Sequence, residues 1–162
     1  MADLVVMMGV PGSGKSTYAK KMLGENDIYL SRDIIRYALV KEDEEYFSKE
    51  NEVLQTFIKA VDKALTRAKR YVIADATHLN RGSRDKLLRN LQNQPDHVYV
   101  VYIDVPLEVA LERNKERTGR ALVPESAIRN MYKSLSLPTK NEKIDAVYKV
   151  NQDGYIYDTI IY

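Results

Sequence analysis

Gly9-Val10-Pro11-Gly12-Ser13-Gly14-Lys15-Ser16 fits G-x-x-x-x-G-K-[ST] at every fixed position. These residue types suit the holding of nucleotide phosphates. The glycines let the backbone curl until several N–H groups face one anion, so Gly9, Gly12, Ser13 and Gly14 would form the cradle. A helix opening near Gly14 adds the positive end of its dipole, with Thr17 in its first turn. Lys15 can reach the β- and γ-phosphates of ATP, and the Ser16 hydroxyl suits Mg²⁺. The bland alternative is a glycine turn with a surface lysine. The strand before the loop and the helix after it argue against that alternative.

Hydrolases, switches and kinases share such a loop, so the rest of the chain must distinguish them. A kinase acting on a hydroxyl gains from a carboxylate placed to take the proton. Asp33 (in LSRD), Asp75 (in VIAD) and Asp104 (in YID) sit at the ends of strand-like runs. Asp33 has Arg36 three residues on, on the same helical face. The pair reads as a base beside an anion-binding arginine, or as a surface ion pair worth about 0–1 kcal/mol. Asp75 ends an apolar run and suits a metal-associated or acceptor-binding role, or a cap on the next loop. Asp104 precedes Val105-Pro106 and suits a helix start better than catalysis.

The run PLEVALERNKERTGR, 106–120, carries three arginines. In helical spacing Arg113 and Arg120 can each pair with Glu116, whereas Arg117 has no acid three or four residues away. An arginine without a local partner is free for an external anion, such as a phosphoryl group in transfer. Thr118-Gly119 then reads as a break in a lid over roughly 113–124. An exposed solubilising arginine is the alternative. His78 and His97 have no partner histidine at a ligand spacing. Of the 12 tyrosines, Tyr37 on the Asp33 helix is the one placed to stack on a base.

These residues need a frame. Leu4–Met8 reads as a buried strand and Ser16–Leu23 as the following helix. Ile28–Leu30 is extended, and Ser31 caps a helix to about Val40. A long helix is expected from Ser48 to Lys69, with Val53, Phe57, Ile58, Val61, Ala64 and Leu65 on one stripe. Strands follow at Tyr71–Ala74 and Val98–Ile103, with a helix at Gly82–Leu91 between them. Two further helices, Pro106–Arg117 and Pro124–Leu135, begin at proline. Ala146–Val150 and Tyr155–Tyr157 close the chain as a hairpin. The expected fold class is α/β: a mainly parallel sheet with helices on both faces, a helical lid and a C-terminal hairpin. In such sheets ligands bind beyond the carboxyl ends of the strands, here after Met8, Leu30, Ala74 and Ile103.

The 162 residues, 44% hydrophobic and 30% charged, suit one domain over 1–162. Net charge is +2, which does not by itself indicate nucleic acid. The segments 63–70 and 113–120 are basic, and 42–52 is acidic enough to be a docking face or simply a solvated one. The absence of cysteine excludes disulfides, thiolate metal sites and thiol nucleophiles, and fits a reducing interior. MADLVVMMG lacks the basic start of a signal peptide. No apolar run approaches the roughly 20 residues that span a bilayer. A cytoplasmic protein with no membrane partner is expected.

GVPGSGKSTYA (9–19), SRDIIR (31–36), VIADATHLN (72–80), IDVP (103–106), LERNKER (111–117) and VPESAIRNMYKSL (123–135) occur in one order. Together they resemble the kinase domain of bacteriophage polynucleotide 5′-kinases, small P-loop kinases often classed with AAA-type ATPases. The resemblance implies ATP and Mg²⁺ on Lys15 and Ser16. It implies Asp33 as the base that activates a 5′-hydroxyl, Arg36 as the holder of the acceptor's phosphate, and Asp75 on the acceptor side. It also implies Arg117 as the lid arginine, with Arg113 as a second. The phage enzymes continue into a phosphatase domain with D-x-D-G-T, and this chain ends in VNQDGYIYDTIIY without it. No phosphatase domain is expected.

The leading expectation is therefore ATP-dependent phosphorylation of a 5′-hydroxyl end of DNA or RNA. A kinase for a small molecule (nucleoside, sugar nucleotide or antibiotic) would use the same loop, base and lid. A nucleotide-gated interaction module is a third reading.

Overall fold

A computed structural model describes all residues, 1–162. Six strands form one sheet: β1 (Asp3–Met8), β2 (Ile28–Ser31), β3 (Tyr71–Asp75), β4 (Val98–Ile103), β5 (Ala146–Val150) and β6 (Ile156–Ile161). Their spatial order is β2-β3-β1-β4-β5-β6, and all neighbours are parallel except the β5–β6 hairpin. The chain places β2 and β3 on one side of β1, then β4 and β5 on the other. Strand order thus reverses beside β1, where α/β sheets open a crevice. The phosphate loop follows β1 there.

The helices are α1 (Lys15–Met22), α2 (Arg32–Leu39), α3 (Glu50–Leu65), α4 (Arg81–Leu88), α5 (Leu107–Lys115) and α6 (Glu125–Lys133). They cover both faces, and the alternation of β1 shows how. Leu4, Val6 and Met8 enter one core with Phe57, Ile58, Val61, Ala64 and Leu65 of α3 and Leu87 and Leu88 of α4. Val5 and Met7 enter the other with Ala19 of α1, Ala110 and Leu111 of α5, and Ile128 of α6. The expected stripe of α3 is its buried face. None of the helices is long and apolar enough to cross a membrane.

Several elements stop earlier than the periodicity suggests. α3 ends at Leu65 because the next residues turn toward β3, with Lys69 and Arg70 donating their backbone N–H groups to Asn26 O. α5 ends at Lys115, so Arg117 lies beyond it. The segment beyond α5, expected to be a lid, is a loop containing one 3₁₀ turn at Gly119–Ala121, with Gly119 at φ +59°. Its base is pinned by buried Asn114, whose amide donates to Val123 O (2.7 Å) and accepts from Val123 N (3.1 Å). The last strand is longer than expected, and Asn151 Oδ1 shapes its turn by accepting from Asp153 N and Tyr155 N.

Behind the sheet crevice, Arg84 is wholly buried and pairs with Glu142 at 2.7 Å and 3.2 Å. Its Nη1 also donates to His78 O at 3.0 Å. His78 lies in the loop after β3, buried at φ +43°, with Nδ1 2.8 Å from Met7 O. The same network thus fixes the ends of β1 and β3.

Removal of one partner leaves the other charge buried and alone. Glu142→Ala is expected to cost about 3–5 kcal/mol in urea denaturation, whereas a loss under 1 kcal/mol would show the pair to be dispensable. Burial pushes the His78 imidazole down to about 4. The unfolded chain takes up a proton on this residue below pH 6.5 and the folded chain does not. Stability should therefore fall as pH drops from about 6.5 toward about 4, by at most about 3 kcal/mol from this residue. His78→Gln should flatten that slope in denaturation midpoints.

Candidate active site

The loop wraps tightly because two glycines take backbone conformations closed to other residues. Gly12 has φ +86°, and a Cβ there would lie 2.3 Å from Ala110 O of α5. Gly14, at φ +93°, caps α1 without any side-chain hydrogen bond. The first-turn N–H groups of α1 therefore keep their capacity for an anion. Ser13 Oγ, beneath the loop, is buried and has no hydrogen-bond partner.

Lys15 and Ser16 both turn toward the end of β3. Ser16 Oγ donates to Asp75 Oδ2 at 2.7 Å, and Lys15 Nζ lies 3.6 Å from Asp75 Oδ1. Tyr29 of β2 donates to the same Asp75 Oδ2. Burial, reinforced by that carboxylate, pushes the Tyr29 phenol up to about 12. The β2–β3 register, with Ser31 opposite Asp75, sets this meeting. Asp75, expected in a metal-associated or acceptor-binding role, thus meets Lys15 and Ser16 of the phosphate loop and Tyr29 of β2. The physical reason is strand order: β3 lies between β1 and β2, so its end adjoins both the phosphate loop and the Ser31 cap of α2. A hydroxyl and a carboxylate 2.7 Å apart form a hard oxygen donor set that suits Mg²⁺. No group of three or more His, Asp or Glu gathers anywhere, so phosphates and water would complete the shell.

On the other side of the crevice stands α2, capped by Ser31 Oγ accepting from Ile34 N at 3.3 Å. Asp33, in its first turn, is 55% exposed and lines a cleft of about 230 Å³ with Lys15, Ser16, Arg36, Glu50 and Arg117. Arg36 is buried and engaged. Its Nη1 donates to Asp33 Oδ1 at 2.6 Å, its Nε to Glu50 Oε2 at 3.0 Å and its Nη2 to Glu50 Oε1. Tyr46 and Phe47 pack their rings on the guanidinium at 4.9 Å and 5.5 Å. Glu50 and Tyr46 belong to the acidic 42–52 segment. Glu50 therefore faces the cleft rather than forming an outer docking surface, and its carboxyl is held below the usual range by Arg36 and Arg32 despite partial burial.

Three arginines, Arg113 on α5 and Arg117 and Arg120 beyond it, are each placed differently. Arg117 forms no ion pair; its Nη1 is 3.4 Å from Ala121 O, and the side chain lines the cleft. Arg113 donates to Ser13 O at 2.7 Å and Gln152 O at 3.2 Å. Arg120 donates to Tyr37 O at 3.2 Å and to Val40 O, with its guanidinium 5.1 Å over the Tyr37 ring. Neither uses Glu116, because backbone carbonyls of other segments take up both guanidiniums. Tyr37, the tyrosine singled out for base stacking, carries the Arg120 guanidinium over its ring and lines the cleft. Asp104 does not cap α5 either, and accepts from Tyr102 and Tyr157 instead.

A second cavity, of about 300 Å³, lies across the loop and is lined by Ser13, Gly14, Thr17, Arg113 and 150–154. A third, of about 570 Å³, separates 40–47 from the lid and shares Tyr46, Phe47 and Val123 with the cleft. Sequence spacing missed Tyr29, Arg32, Tyr46 and Glu50. A tyrosine in an otherwise apolar β2 was the one local signal.

Residues 4–138 match the family model described as AAA domain. The chain belongs to the AAA domain family. It is 32% identical over 83% of its length to an L-seryl-tRNA(Sec) kinase of Methanococcus maripaludis, covering 53% of that protein. It is 31% identical over 81% of its length to a protein of Autographa californica nuclear polyhedrosis virus described as a bifunctional polynucleotide kinase/RNA ligase, covering 20% of it. The chain thus spans about half or less of these relatives. The structure of Chaetomium thermophilum Kti12 in complex with ADP-AlF3 superposes with a TM-score of 0.69 at 20% identity, covering 93% of this chain and 89% of that one. This AAA domain has the P-loop kinase fold.

Gly12→Ala should force the loop and α5 apart, costing about 1–3 kcal/mol of stability in urea melts together with ATP affinity. An unchanged midpoint would show that the loop tolerates another path.

Proposed function

We propose that this domain transfers the γ-phosphoryl group of ATP to a hydroxyl carried by a nucleic acid, with a 5′-hydroxyl end as the leading acceptor. The carrying observation is that the Asp33 carboxylate opens onto the same cleft as Lys15, Ser16 and Arg117. Two relatives that are kinases of tRNA and polynucleotide in their descriptions support the choice of acceptor class. In this reading the first-turn N–H groups of α1 and Lys15 hold the phosphates, and the base and sugar of ATP use the cavity beside Thr17 and Arg113. Ser16 and Asp75 would hold Mg²⁺. That ion, when bound, neutralises charge on the phosphate oxygens.

Asp33 accepts the proton of the acceptor hydroxyl while its oxygen forms a bond to Pγ. The bond from Pγ to the β–γ bridging oxygen breaks, and ADP leaves. Arg117 faces the charge spread over the phosphoryl oxygens in transit. A small-molecule acceptor is the second reading. The observation favouring it is that Arg36, expected to bind an acceptor phosphate, is already engaged by Glu50 and Asp33.

Label transfer from γ-labelled ATP to 5′-OH DNA, 5′-OH RNA and a nucleoside mixture tests the reading. Asp33→Ala should lower kcat by about 10²–10⁴ while leaving nucleotide binding intact. Transfer to oligonucleotides should weaken steeply with salt, and transfer to a small molecule should not. Folded protein that labels no oligonucleotide would refute the nucleic-acid acceptor.

A further inference from the structure

The Arg36 guanidinium has five N–H groups. One meets Glu50 Oε2 at 3.0 Å, one meets Glu50 Oε1, and Nη1 serves Asp33 Oδ1 at 2.6 Å and Tyr46 OH at 3.3 Å. Both edges that fit an oxyanion in two-pronged fashion are therefore in use. Aromatic rings at 4.9 Å and 5.5 Å cover the guanidinium as well. Arg32 joins the group through Nη2 to Glu50 Oε1 at 3.0 Å. Two arginines meet two carboxylates here, which leaves no surplus charge for a phosphate beside Asp33.

We propose that Glu50 determines acceptor specificity, by occupying on Arg36 the place that an acceptor phosphate would take. Glu50 is half-buried on the first turn of α3 and lines the cleft with Asp33. A neutral hydroxyl-bearing group reaches Asp33 without disturbing this cluster. An acceptor that presents a phosphate to Arg36 must displace a bidentate carboxylate already in place, and binds more weakly for it. Glu50 thereby weights the site toward acceptors without a phosphate next to the reacting nucleoside. A polynucleotide end, whose reacting nucleoside carries such a phosphate, must displace Glu50 to use Arg36. The inference rests on the kinase reading, with Asp33 facing the acceptor.

Glu50→Gln keeps the shape and removes the competing charge. Steady-state transfer to adenosine and to adenosine 3′-monophosphate is compared in wild type and variant. The ratio of kcat/KM for the monophosphate over the nucleoside should rise about tenfold in Glu50→Gln, carried by KM. A purely structural role would lower both in parallel, and a ratio that is unchanged or lower overturns the proposal. Calorimetric titration of adenosine 3′-monophosphate with the phosphate loop saturated by ADP needs no turnover. Binding should tighten about tenfold in the variant, and equal or weaker binding overturns the proposal. If wild type phosphorylates nothing, the kinase reading fails and the titration still decides the role of Glu50. Glu50→Asp, which withdraws the carboxylate by one methylene, serves if Glu50→Gln does not fold: tighter binding than wild type supports the proposal and no gain overturns it.

Discussion

A carboxylate 3% exposed at the end of an apolar strand is the constraint on which the site depends. Alone, Asp75 would carry a desolvation cost of several kcal/mol. It is tolerated because Lys15 and Ser16 from the phosphate loop and Tyr29 from β2 all converge on it. These partners come from different elements, so satisfying the charge also fixes where the elements stand. β2, β3 and the loop are tied at one point, and the cradle is shaped before any nucleotide arrives. A preorganised set of donors does not have to reorganise during reaction, which is where electrostatic stabilisation is effective.

On the opposite wall, α2 is tied to two other parts of the chain. Arg36 binds it to the start of α3 through Glu50, and Arg120 binds its last carbonyls to the lid. A cation at a helix C-terminus also meets the negative end of the dipole. The segment that carries Arg117 is thus fastened to the helix that carries Asp33. Asn114 holds the other lid boundary against α5. The positions of Arg117 and Asp33 are therefore mechanically linked through α2 and Arg120.

The strand and helix order, the two-faced sheet and the loop were legible because each depends on patterns within a few residues. The α3 stripe and the glycine spacing are of this kind. Asp33 and Arg36 were legible as neighbours for the same reason. What escaped was the identity of Arg36's main partner, since Glu50 is 14 residues away across a turn. The reach of α5 was overread because two residues beyond Lys115 carry no stop signal before Gly119. Asp75 was recognised as unusual from its apolar context. Its partners depend on β3 lying between β1 and β2, and pairing order is set by the whole sheet.

Charge matching across the cleft then separates two kinds of cation. Lys15 already faces Asp75, while Arg32 and Arg36 face Asp33 and Glu50. These groups lie in balanced clusters and hold architecture as much as ligand. Arg117 has no carboxylate partner, and the first turn of α1 has no cap. The uncompensated positive potential is thus concentrated between the lid arginine and the loop. An anion entering the cleft is drawn to that line, away from Arg36. The same matching leaves Asp33 anchored by one hydrogen bond but largely open to solvent, a carboxylate held in orientation with a face still open to the cleft.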